Sequence, residues 1–144
     1  MLWSAGVTEN FWYKYDVNTS GTAFCPLWGG SSLTPAGMAW NTTYNWLLGA
    51  TPATSPFCFA SGTLWTCPFT EWNGKAAELV WDSQYGPGGT TLPVMCSTAA
   101  NPLICGNTSY TVPATYTHDW IDVQGTVHPF ESVVTVGAVP ILLE

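Results

Sequence analysis

The chain has 144 residues, 47% of them hydrophobic and 15% aromatic, with nine Trp; this is enough apolar material for a folded core and excludes a disordered chain. Only 8% of residues are charged and the net charge is −7, with Lys14 and Lys75 as the only basic side chains. A nucleic-acid partner or an anionic membrane surface needs Lys and Arg to meet phosphates, so both are excluded as partners.

No apolar run reaches the roughly 18 residues that cross a bilayer. The start, Met1-Leu2-Trp3-Ser4-Ala5-Gly6, lacks the basic and apolar regions of a signal peptide. For a secreted chain, the export signal is then expected upstream of Met1. A surface covered by Ser, Thr, Asn and Gly rather than ions suits an extracellular protein that meets neutral, hydroxyl-rich partners.

In chain order, Ser4-Ala5-Gly6-Val7 leads into the aromatic run Asn10–Asp16, which has strand propensity. A Gly-rich loop with Trp28-Gly29-Gly30 follows. Thr34 and Pro35 then fit the N-cap and first position of a helix; Ala36, Ala39 or Trp40, Tyr44 and Leu47 recur at helical spacing, and Gly49 is placed to end it. One strand and one helix cannot bury their own apolar faces, so they require a larger body.

Beyond this unit the period changes. Leu64–Trp72 and Ala76–Trp81 read as strands joined at Asn73-Gly74, a strong hairpin signal. Further strands are expected at Tyr110–Val112, Tyr116–Asp122, Thr126–Phe130, Val133–Val136 and Ile141–Leu143, separated by Pro, Gly and Asn as in a sandwich. Pro68 and Pro140 suggest edges or bulges. The fold class expected is mainly β: an antiparallel β-sandwich over 53–144, preceded by a strand-helix unit over 1–52.

The five cysteines, at 25, 58, 67, 96 and 105, form no C-x-x-C pair, and neither His lies near a Cys pair, so neither a zinc site nor any cofactor is expected. Cys58 with Cys67, and Cys96 with Cys105, each enclose a short loop of the kind local disulfides close, leaving Cys25 over; spacing alone leaves free buried thiols as the alternative. Three sequons, at Asn18, Asn41 and Asn107, matter only in a glycosylating host.

Trp3-Ser4-Ala5-Gly6-Val7 followed by Phe11-Trp12-Tyr13-Lys14-Tyr15-Asp16 resembles the eighth strand of clan A (β/α)8 glycoside hydrolases of bacteria. Leu33–Gly37 and Tyr44–Ala50 are similar to the barrel helix that follows. Tyr110–Pro113 with Tyr116, Trp120–Asp122 with Gly125, and Val136–Glu144 are similar to the sandwich that closes such enzymes. The resemblance implies that residues 1–52 are the last β/α unit of a truncated barrel and that 53–144 brace it. It also implies secretion and a polysaccharide or oligosaccharide as the partner of the intact enzyme. Such a barrel has eight strands and typically about 250 residues, and its retaining members hold two carboxylates about 5 Å apart. The resemblance places both catalytic acids upstream of Met1, so no catalytic residue is expected here.

Among the acids present, Glu9 and Asp16 lie in the barrel-like segment; Glu71, Glu78, Asp82, Asp119, Asp122 and Glu131 lie in or beside sandwich strands and read as solvated or hydrogen-bonded strand-end groups. His118 and His128 read as surface or turn residues, with no Ser or Cys in a nucleophile-elbow context. Trp12, Tyr15 and Asp16 are the candidate substrate contacts: an aromatic face at a barrel strand end stacks on the C–H face of a sugar, Trp12 is similar to the family's barrel-end tryptophan, and Tyr15 stands where a second Trp is more usual. Trp65 and Trp81 are expected to face the core. Three functions follow: a non-catalytic remnant bracing a glycosidase barrel, a free-standing carbohydrate-binding module using exposed aromatics, or a structural protein self-associating through exposed strand edges and aromatic surface.

Overall fold

A computed structural model describes residues 27–85 and 104–144. The expected first strand, the Asn18 sequon, Glu9, Trp12, Tyr15, Asp16, Cys25 and Cys96 lie outside the described residues. The described chain is mainly β and antiparallel, with one α-helix and two sheets in a sandwich-like arrangement.

Helix α1 runs Pro35–Leu47. The Thr34 hydroxyl accepts from the Gly37 amide at 3.1 Å, and Pro35 sits at the first helical position. Gly49, at φ +70°, turns the chain out after the last helical residues, a conformation that favours glycine. Gly37 is buried because the backbone of Leu27 crosses directly over it, leaving no room for a Cβ.

Among the described residues nine strands follow: β1 (Thr51–Pro52), β2 (Phe59–Ser61), β3 (Leu64–Thr70), β4 (Ala76–Asp82), β5 (Thr108–Thr111), β6 (Trp120–Ile121), β7 (Val127–His128), β8 (Val133–Val136) and β9 (Ile141–Leu143). The main sheet has the order β1-β3-β4-β9-β6-β7, with β2 also on β3, and a separate sheet pairs β5 with β8. Pro68 lies inside β3, and its position explains how a proline is accommodated there. The outer side of β3 is shared by β2, which covers Leu64–Thr66, and β1, which covers Phe69–Thr70, so Pro68 falls in the gap between them. Its carbonyl still accepts from the Ala53 amide at 3.1 Å.

The β3–β4 hairpin forms where the Asn-Gly signal placed it, but β3 ends at Thr70 rather than Trp72. Glu71 N–H donates to Lys75 O and Gly74 N–H donates to Glu71 O, each at 2.9 Å, with Gly74 at φ +86°. This is the three-residue loop with a left-handed glycine, not the two-residue turn.

The pleat of β4 divides the molecule into layers. Ala77 and Leu79 face α1 in one core, with Trp46, Phe57, Cys67, Phe69, Val123 and Leu142. Val80 faces the β5–β8 sheet in a second core, with Ile104, Tyr116, Trp120, Val134, Val136, Ile141 and Leu143. A strand covered on both faces needs apolar residues in both registers, which is why Ala76–Trp81 is a nearly continuous apolar run. Within α1 the expected stripe is shifted. Trp46 is buried and Ala39 and Leu47 pack beside it, whereas Tyr44 is 56% exposed.

The disulfide Cys58–Cys67 ties the segment before β2 to β3, as expected. Cys105 is also disulfide-bonded; its expected partner Cys96 lies outside the described residues.

Candidate functional site

Among the described residues three carboxylates are buried: Glu78, Asp82 and Asp122. The pleat that turns Val80 toward the second sheet turns Glu78 and Asp82 the same way. Asp82 accepts from the Thr108 hydroxyl at 2.6 Å, the Gln84 amide N–H at 3.0 Å and Gln84 Nε2 at 2.7 Å. Burial pushes its pKa up, but the donors from Thr108, Gln84 and Thr63 outweigh that and hold the carboxyl below its ordinary value. Glu78 accepts from one donor, the Tyr110 hydroxyl at 2.8 Å, and there burial wins, raising the carboxyl above the usual range. Burial, followed by the Glu78 charge, pushes the Tyr116 phenol up to about 12, and the Tyr110 phenol moves in the same direction.

Asp122 closes the turn between β6 and β7. Its Oδ1 accepts from Gln124 N–H at 2.8 Å and Thr126 N–H at 3.1 Å, while its Oδ2 lies 2.9 Å from His128 Nε2. Burial again works against ionisation, and His128 and the two turn amides overcome it, so the carboxyl is held below its ordinary value. The His128 ring stacks on Trp120 at 3.8 Å and 11°. His128, expected as a surface or turn residue, is thus pinned between a carboxylate and an indole. Asp122-x-x-Gly125-Thr126 carried a local turn signal, but the contact to His128 needs the β6–β7 register, in which Trp120 faces His128.

These acids do not form an opposed pair. Glu78 and Asp82 lie four residues apart on one strand face, about 13 Å between Cα atoms by the rise of a strand, and each carboxyl is turned onto its own donors. At the hairpin edge, the Glu71 and Glu144 carboxyls are electrostatic neighbours. Glu144 is bridged by Lys75 Nζ at 2.9 Å. Burial and the Glu144 carboxyl raise the Glu71 pKa against the opposing Asn73 amide. Among the described residues no cluster of three or more His, Cys, Asp or Glu could hold a metal ion, and no helix is long and apolar enough to cross a membrane.

The aromatics divide by place. Trp65 and Trp81 are cross-strand partners on the α1 side of the sheet, half-buried and stacked at 5.8 Å and 7°. Trp72 stands at the hairpin tip, 78% exposed. The loop beneath it is fixed by Asn73, whose Oδ1 accepts from Lys75 N–H at 2.8 Å and whose Nδ2 donates to Glu71 Oε2 at 3.1 Å. The base of Trp72 abuts the end of α1: a Cβ on Gly49 would lie 3.1 Å from Trp72 Cβ. Tyr44 in α1 and Leu48 at its C-cap, 56% and 54% exposed, lie one helical turn apart. The expected substrate contacts Trp12, Tyr15 and Asp16 lie outside the described residues.

No known family, curated protein or solved structure matches the chain.

Proposed function

We propose that the chain is a non-catalytic bracing unit of a secreted glycoside hydrolase, its sheet supporting a (β/α)8 barrel. The observation that carries this reading is the division of labour between polar and apolar groups. The buried carboxylates Glu78, Asp82 and Asp122 are each turned onto their own donors, while α1 and its C-cap leave Tyr44 and Leu48 exposed and the end of the helix abuts Trp72. A helix sealed to the sheet on one side, with Tyr44 and Leu48 exposed among Asn41 and Asn45 on the other, suits a position against a second body. The resemblance of Leu33–Gly37 and Tyr44–Ala50 to the last barrel helix supplies the second body. A disulfide favours an oxidising compartment, in keeping with export.

Two measurements test the two halves of this reading. Incubation with a panel of aryl glycosides should release no aryl alcohol above buffer; turnover abolished by Glu78→Gln, Asp82→Asn or Asp122→Asn would overturn the non-catalytic assignment. Sequencing the DNA 5′ to the Met1 codon should reveal an in-frame barrel carrying two strand-end Glu residues. A stop codon in that frame would sink the bracing assignment.

A second reading, a carbohydrate-binding module, draws on Trp72. An indole held out on a rigid turn is a platform for the C–H face of a sugar ring. Retention of the chain on insoluble polysaccharide, lost in Trp72→Ala, would favour this reading over bracing.

A further inference from the structure

We propose that Asn73 is a deamidation site whose chemistry is gated by the β3–β4 hairpin. In an Asn-Gly pair the backbone nitrogen of the glycine, once deprotonated, attacks the Asn Cγ because no Cβ on the following residue blocks its approach. Here the Gly74 nitrogen would form a bond to Asn73 Cγ, the bond from Cγ to Nδ2 would break, and Nδ2 would leave as ammonia. Water then opens the resulting cyclic imide at either carbonyl. One opening yields an ordinary aspartate at this position; the other yields isoaspartate, in which the main chain runs through the former side chain. The net change is one water consumed and one ammonia released, with no oxidant or reductant.

The folded hairpin opposes each requirement of that attack. The Gly74 N–H that must be lost donates to Glu71 O at 2.9 Å. The side-chain amide that must rotate toward it is held at both ends, Oδ1 by Lys75 N–H at 2.8 Å and Nδ2 by Glu71 Oε2 at 3.1 Å. Reaction therefore requires the loop to open, and its rate follows the population of the open hairpin. The product does not fit the closed loop. In the aspartate form an oxygen replaces Nδ2 opposite Glu71 Oε2, setting two carboxylates against each other beside Glu144. In isoaspartate the extra backbone atom breaks the spacing that joins Glu71 to Gly74 and Lys75. The reaction thus converts a transient opening of the tip that carries Trp72 into a permanent one.

The site is tested on the full chain, kept native in one arm and unfolded in guanidinium chloride with its disulfides reduced in the other, at the same mildly alkaline pH. A Glu-specific protease releases the peptide 72–78, in which the three forms of residue 73 separate by chromatography and mass. Asn73 should deamidate more than about tenfold more slowly in the native arm, the protection expected when opening costs about 1.4 kcal/mol or more. The isolated native isoaspartate form should have lost amide-exchange protection at Gly74. Equal rates in the two arms, or a faster native rate, would overturn the gating. Retained Gly74 protection in the isoaspartate form would overturn its permanence.

Discussion

Removing the Asp122 carboxylate tests whether the β6–β7 corner is held by polar contacts or merely by the apolar sheet beneath it. Asp122 is 2% exposed and accepts from the Gln124 and Thr126 amides and from His128. Hydrogen bonds to a charged group contribute about 1.5–3 kcal/mol each when buried. Gln124 is only half-buried and Thr126 is exposed, so water recovers part of the loss at their amides. About 1 kcal/mol for each of the three contacts is the appropriate figure, and Asp122→Ala should cost about 3 kcal/mol in total. For a chain of this size that corresponds to a fall in Tm of about 6–12 °C. Asp122→Asn keeps an acceptor for the two turn amides and loses only the charge facing His128, so it should cost about 1 kcal/mol. Urea unfolding at neutral pH, extrapolated linearly to water, separates the two variants. A loss below about 1 kcal/mol for Asp122→Ala, or equal losses for both, would refute the reasoning. The pH dependence has a definite sign. The folded carboxyl is held below its ordinary value, so its contribution is fully present above the unfolded pKa of about 3.9 and is lost as pH falls through the lower folded value.

Glu78 should behave oppositely. Its folded carboxyl is raised by burial, so folding favours the protonated form and stability falls as pH rises through the folded value. Glu78→Gln keeps an oxygen for the Tyr110 hydroxyl and should raise the Tm at pH 7, with the gain shrinking on acidification to pH 3; a lower Tm at pH 7 would contradict this. Gly137→Ala should destabilise by about 2 kcal/mol or more in the same unfolding assay, because its Cβ would enter the backbone of Ile104 and Cys105. Replacing both Cys58 and Cys67 by Ser should cost about 2.5 kcal/mol, the loop-closure value for residues nine apart.

Local signals in the sequence carried through where the chain satisfies its own groups nearby. Thr34, Pro35 and Gly49 bound α1 because a cap, a fixed φ and a left-handed turn each act within a few residues. Val133–Val136 and Ile141–Leu143 form strands with the bounds their apolar runs suggested. Signals failed where a neighbour decides. Tyr116 lies outside the strand expected to begin there, because its amide donates to Pro113 O at 3.0 Å and its ring is drawn into the second core. β1 and β2 were missed because each is too short for a period of its own and exists by pairing with β3.

The same distinction governs the polar groups. Glu78, Asp82 and Asp122 look alike in the sequence as strand-end acids, yet Asp82 and Asp122 are held ionised and Glu78 is pushed toward its neutral form. The difference is the number of donors each meets. Backbone amides at Gln84, Gln124 and Thr126 come from the turn that each aspartate begins, so that part was legible locally. Tyr110, Glu78's single donor, arrives from another sheet 32 residues away, and nothing near Glu78 announces it. A carboxylate with one phenol for company costs more to ionise than one at the head of a turn. Of these three acids, the one least suited to the fold at neutral pH is therefore the one whose partner was invisible in the sequence.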